Sequence, residues 1–140
     1  MNDAATLPDI LYIENDSRSV VLLRYFLKHF CAVESVSNYS GGIERVLEKK
    51  YHAVLIDINI EINMNGINAI EIIRQAPGYE NIPIVAISVL KLEEDKIKYL
   101  QKICSYYIPK PFSQDEIQSL IRKIFTETNI MKTANSLAYS

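Results

Sequence analysis

Four kinds of feature are scarce in this chain of 140 residues, and each scarcity removes a class of function. Only two cysteines are present, Cys31 and Cys104, far apart and in no C-x-x-C or metal-ligand spacing. That excludes a disulfide framework and a zinc site, and leaves buried free thiols in a reducing compartment as the expectation. Charge of one sign is lacking too: the formal net charge is −2 with no run of like charges, so no basic footprint for nucleic acid exists. No apolar run reaches membrane-spanning length, and the N-terminus lacks the basic-then-apolar pattern of a signal peptide. A cytoplasmic location is therefore expected. With only four glycines, no strand–helix turn carries a glycine-rich phosphate loop, which counts against a nucleotide binder or a small flavodoxin-like enzyme. Tryptophan, internal repeats and low-complexity segments are absent as well.

What remains is the composition of one packed domain, since 49% of the residues are apolar and 23% charged. Residues 1–8 read as a loose leader, 9–126 as the domain, and 127–140 as a helix end and short tail. Within the domain, short apolar runs alternate with amphipathic stretches. Ile10-Leu11-Tyr12-Ile13 predicts a first strand. Asp16 or Ser17 then caps a helix with Val20, Leu23, Leu27 and Phe30 on one face. A weaker strand covers Ala32 to Ser37, and Gly41-Gly42 opens a helix with Ile43, Val46 and Leu47 on one face. Ala53-Val54-Leu55-Ile56, closed by Asp57, is the clearest strand, and its unbroken apolar character suits a parallel strand covered on both faces. Ile67, Ile70 and Ile73 or Ile72 mark a helix that stops at Pro77-Gly78. Ile84-Val85-Ala86-Ile87 forms the fourth strand, ending at Ser88. A helix from Leu92 to Ile103 follows, with an acidic first turn, then a short strand Tyr106-Tyr107-Ile108. Ser113 caps a last helix bearing Ile117, Leu120, Ile121 and Ile124.

Five strands alternating with five helices imply an α/β doubly wound fold, an open parallel sheet with helices on both faces. In such sheets ligands gather beyond the carboxyl ends of the strands. The residues found there are Glu14 and Asn15, Asp57, Ser88 and Lys110. Each alone has a plainer role as a cap, a loop residue or a helix boundary. Together they offer two carboxylates, an amide, a hydroxyl and an ammonium on one sheet edge. The chemical complement is a small anion with a divalent cation. The carboxylates and a loop carbonyl suit Mg²⁺, a hard ion that prefers oxygen, while Ser88 and Lys110 suit phosphoryl oxygens. A carboxylate is a competent nucleophile for phosphoryl transfer, which gives Asp57 a chemical role.

These segments resemble the receiver domain of two-component response regulators over nearly the whole chain, from about Ile10 to about Phe125. Ile13-Glu14-Asn15-Asp16 is similar to the family's acidic pair, and Val54-Leu55-Ile56-Asp57-Ile58-Asn59 to its phosphoacceptor segment. Met64-Asn65-Gly66 resembles the turn that closes the following loop. Ile82-Pro83-Ile84-Val85-Ala86-Ile87-Ser88 resembles the segment ending in the switch Thr or Ser, and Tyr107-Ile108-Pro109-Lys110-Pro111-Phe112 the aromatic and Lys-Pro-Phe elements. The resemblance implies a flavodoxin-like sheet of order 2-1-3-4-5. It implies Asp57 as phosphoacceptor, assisted by Lys110 and Ser88, with Ser88 and Tyr107 as the switch pair. It implies Mg²⁺ held by Glu14, Asn15, Asp57 and the Asn59 backbone carbonyl.

Three departures stand out. Asn15 falls where the family usually has a second aspartate, so Mg²⁺ affinity should drop. Glu61-Ile62 lies in a loop one residue longer than the commonest form. Cys104-Ser105 replaces an Ala-Gly element before the fifth strand. The resemblance implies a stand-alone signalling domain rather than an enzyme, one that assists its own phosphorylation and dephosphorylation. Its phosphoryl donor would be a histidine kinase or phosphotransfer protein, and its output a protein target on the face of helix 4, strand 5 and helix 5, with no direct nucleic acid or membrane contact. The alternative is a degenerate receiver acting as a phosphorylation-independent interaction module.

Overall fold

A computed structural model describes residues 7–128. The expected leader and tail lie outside the described residues, apart from Leu7, Pro8, Glu127 and Thr128. In chain order the elements are β1 (Asp9–Ile13), α1 (Ser17–Leu27), β2 (Ala32–Val36), α2 (Tyr39–Glu48) and β3 (Ala53–Asp57). They continue with α3 (Gly66–Gln75), β4 (Ile84–Ser88), α4 (Glu94–Ile103), β5 (Tyr106–Pro109) and α5 (Gln114–Glu127). All five strands are parallel, in the order β2-β1-β3-β4-β5. This is the doubly wound, flavodoxin-like fold expected from the sequence.

Strand alternation divides the core in two. Leu11, Ile13, Val54, Ile56, Ile84 and Ala86 point to the side covered by α2, α3 and α4. Ile10, Tyr12, Ala53, Leu55, Val85 and Ile87 point to the side covered by α1 and α5. Every residue of β3 and β4 is buried, which is why their sequences read as unbroken apolar runs. Burying each such Leu or Ile is worth roughly 1.5–3 kcal/mol. The edge strand β2 carries Glu34 and Ser35 and is only partly buried, which explains its weaker sequence signal.

Several boundaries differ from the sequence reading. Helix α1 stops at Leu27, whose carbonyl accepts from the amides of both Phe30 and Cys31, so Phe30 lies in a turn beyond the helix. Asp16, rather than Ser17, is the cap, its carboxylate accepting from the Arg18 amide and the Ser19 hydroxyl. Helix α2 starts two residues earlier than expected because the Asn38 side chain accepts from the Gly41 amide at 2.6 Å. Its buried residues are Tyr39, Gly42 and Val46, while Leu47 is exposed. Ile73, not Ile72, is the core residue of α3. Helix α4 begins at Glu94, with Leu92 packed on the core ahead of it. Ser113 does cap α5, in a reciprocal capping box with Glu116. Both cysteines are free and buried, as expected.

Candidate functional site

Three strands present their last residues together, and short backbone links carry the pairing one residue further. The Glu14 amide donates to the Val36 carbonyl, the Ile58 amide to Ile87, and the Lys110 amide to Ser88, at 2.8–3.0 Å. Glu14, Asp57 and Lys110 are thereby fixed by the sheet itself rather than by loops.

Lys110 reaches between the two acids. Its ammonium bonds Glu14 Oε1 and lies 3.2 Å from Asp57 Oδ2. Glu14 and Asp57 are buried, at 3% and 4% exposure, so two desolvated carboxylates share one cation. Burial works against the charge on Lys110, but Glu14 and then Asp57 outweigh it and raise its pKa above the ordinary lysine value. Glu14 also accepts from the Tyr12 hydroxyl and the Asp16 amide, both at 3.2 Å. Burial first, and then Glu14, push the Tyr12 phenol well up, so it remains a donor. The other oxygen of Asp57, Oδ1, accepts from the Asn59 amide at 2.9 Å.

The remaining expected residues differ in how they relate to this centre. Ser88 is buried, and its single hydroxyl proton faces Asn59 Oδ1 at 2.7 Å and the Leu90 carbonyl at 2.9 Å, while it accepts from the Leu90 amide. Asn15 is exposed, and its amide donates to the Ile60 carbonyl at 3.4 Å. Tyr107 pairs in register with Ala86 and packs partly buried against the core. The structure thus brings Glu14, Asp57 and Lys110 into contact, joins Asn59 and Ser88 beside them, and leaves Asn15 and Tyr107 outside that contact set.

One residue escaped the sequence reading. Tyr39 is fully buried, and its hydroxyl donates to the Asp57 carbonyl at 2.7 Å and accepts from the Ile60 amide at 3.3 Å. Glu61 returns the contact by accepting from the Tyr39 amide at 2.5 Å. Burial, more than the neighbouring acids Asp57 and Glu61, pushes the Tyr39 phenol up to about 12. The Asn38 cap could have placed Tyr39 in the first turn of α2. Nothing local reveals that its phenol reaches β3.

Among the described residues no cluster of three or more His, Cys, Asp or Glu side chains forms a metal cage. The donor set nonetheless fits Mg²⁺, which needs only one or two carboxylates and retains waters. Counted formally, Glu14, Asp57 and Lys110 together carry a charge of −1, and both acids keep unshared oxygen lone pairs.

A doubly wound parallel sheet with two buried acids and a lysine beyond its strand ends defines an acid-pocket domain of flavodoxin-like fold. The family model described as "Response regulator receiver domain" matches residues 10–122, and the chain belongs to that family. Such domains are signalling modules of two-component systems rather than enzymes. Transcription factor SKN7 of Saccharomyces cerevisiae is 32% identical over 114 residues, covering 80% of this chain and 18% of that protein. Signal transduction histidine-protein kinase BarA of Escherichia coli K12 is 28% identical over 100 residues, covering 71% of this chain and 10% of that one. The chain therefore spans about a fifth or less of the length of these curated relatives. The receiver domain of sensor histidine kinase PA1611 from Pseudomonas aeruginosa PAO1 was solved with a magnesium ion coordinated in its active site cleft. It matches with a TM-score of 0.77 at 22% identity, covering 86% of this chain and 99% of that one. Among the described residues no helix is long and apolar enough to cross a membrane.

Proposed function

We propose that this protein is cytoplasmic and that its Asp57 accepts a phosphoryl group from a histidine kinase or histidine phosphotransfer protein. The observation that carries this reading is the shared ammonium: Lys110 bridges Glu14 and Asp57, both buried, at the carboxyl edge of the sheet. A carboxylate oxygen of Asp57 attacks phosphorus, an O–P bond forms, the donor's N–P bond breaks, and the imidazole leaves and takes up a proton. Lys110 neutralises charge on the transferred group, and Ser88 receives one of its oxygens after releasing Asn59. Bound Mg²⁺ supplies further charge neutralisation for the phosphoryl oxygens. Glu14, Asp57, the Asn59 carbonyl and Asn15 would hold it, Asn15 contributing an amide oxygen without charge.

The same groups provide the switch. Movement of Ser88 toward the phosphoryl vacates the space that Tyr107 takes up, and the face of α4, β5 and α5 changes toward a protein target. Asn15 favours a second reading, an interaction module that works without phosphorylation, because it leaves the pocket one carboxylate poorer. Incubation with acetyl phosphate, with and without Mg²⁺, followed by intact-mass measurement, separates the two. A Mg²⁺-dependent phosphoryl adduct supports the phosphoacceptor, and no adduct at high Mg²⁺ leaves the interaction module. Asn15→Asp should lower the Mg²⁺ concentration needed for labelling, and an unchanged requirement would count against a metal role for residue 15.

A further inference from the structure

The loop between β3 and α3 is held from outside by α2, and the phosphoacceptor reading gives that tether a purpose. Tyr39 is the first residue of α2. Its hydroxyl bridges the two backbone groups that flank Ile58 and Asn59, the Asp57 carbonyl at 2.7 Å and the Ile60 amide at 3.3 Å. Glu61, the next loop residue, closes the link in reverse by accepting from the Tyr39 amide. The phenol is wedged against Gly66, where an added Cβ would lie 2.8 Å from the Tyr39 hydroxyl and 2.3 Å from Ile58 Cα. The mouth of the loop is closed by the Gly66 amide on the Ile58 carbonyl.

We propose that Tyr39 is a positioning residue that holds the Asp57–Ile60 backbone in the shape that receives the divalent cation. The Asn59 carbonyl, assigned to the cation under the proposed function, lies within this bridged segment, so the two bonds that Tyr39 makes constrain its direction. Preorganisation of a neutral ligand matters most where charge is short, and Asn15 makes this pocket short of charge. The proposal rests on the phosphoacceptor reading for its consequence and on geometry for the tether.

Tyr79 supplies a matched control at the other edge of the sheet. It is equally buried, and its hydroxyl likewise accepts from one amide, that of Tyr51, and donates to one carbonyl, that of Lys49. The experiment titrates Mg²⁺ into wild type, Tyr39→Phe and Tyr79→Phe, following the Asn59 and Ile60 backbone amides by NMR, with amide hydrogen exchange at Ile60 in parallel. The expected result is a rise of about three- to tenfold in the half-saturating Mg²⁺ concentration for Tyr39→Phe, the worth of one net hydrogen bond. Ile60 should exchange faster in that variant only, and Tyr79→Phe should keep the wild-type Mg²⁺ response even where it loses similar thermal stability. A wild-type Mg²⁺ response in Tyr39→Phe, or an equal loss in both variants, would overturn the proposal. Should wild type itself show no Mg²⁺ response, the metal part of the phosphoacceptor reading fails, and the tether is decided by Ile60 exchange alone. Faster exchange confined to Tyr39→Phe supports it, and unchanged exchange refutes it.

Discussion

Replacing Lys110 by methionine keeps an unbranched apolar stem and removes the one cation between Glu14 and Asp57. At an effective dielectric of about 20, unit charges 3.2 Å apart attract by ~5 kcal/mol, as for Lys110 and Asp57. Desolvation cancels much of that attraction, and removing one partner of a fully buried pair typically costs about 3–5 kcal/mol. The Lys110 side chain is 22% exposed, so solvent screening reduces the expected loss to about 1–3 kcal/mol. In a domain of this size that corresponds to a fall of about 3–12 °C in Tm. Urea unfolding in EDTA at neutral pH, followed by far-UV circular dichroism, measures it. The same change removes one positive charge from the pocket, so the cation should bind the variant more tightly. A ligand that binds only the folded state stabilises it by RT ln(1 + [L]/Kd), so added Mg²⁺ should stabilise Lys110→Met more than wild type. A variant as stable as wild type in EDTA, gaining no more from Mg²⁺, would refute the shared-ammonium account.

Two further outcomes are expected. Burial works to raise the pKa of Glu34, but bonds from Tyr51, Arg45 and Lys49 outweigh it and lower the value below 4.5. The unfolded chain then binds more protons than the folded one, so the Glu34 contribution is complete above pH 4.5 and is lost as pH falls through its folded pKa. Urea midpoints of wild type and Glu34→Gln should therefore differ near neutral pH and converge in acid; a gap that persists unchanged in acid would contradict this. Gly66→Ala should cost about 1–3 kcal/mol through overpacking, because its Cβ meets backbone at Ile58 rather than a movable side chain. A calorimetric Tm equal to that of wild type would show that the loop opens more easily than its contacts imply.

The sheet was legible because β1, β3 and β4 are covered on both faces and are apolar along their length, polar residues falling only at their ends, Asp9, Asp57 and Ser88. Alternation of strands and helices then left few topologies to choose among. Glu14, Asp57 and Lys110 were legible for a related reason: residues at strand ends are placed by the sheet, so position in sequence translates into position in space. Helix ends were harder. The turn after Leu27 and the early start of α2 at Tyr39 depend on single capping contacts rather than on periodicity. Tyr39 itself was invisible for a stronger reason, because its partners Asp57 and Ile60 are 18 and 21 residues away. The bond between Ser88 and Asn59 spans 29 residues and was equally beyond local patterns.

Phosphorylated Asp57 would be a mixed anhydride, a bond chemically distinct from a phosphate ester. Labelling wild type, Asp57→Asn and Ser88→Ala with acetyl phosphate and Mg²⁺, then treating the products with hydroxylamine before intact-mass analysis, tests it directly. An acyl phosphate is cleaved by hydroxylamine, whereas a phosphoserine is not. The account predicts a hydroxylamine-labile adduct on wild type, none on Asp57→Asn, and a slower-forming but still labile adduct on Ser88→Ala. A stable adduct, or one that survives in Asp57→Asn, would contradict it.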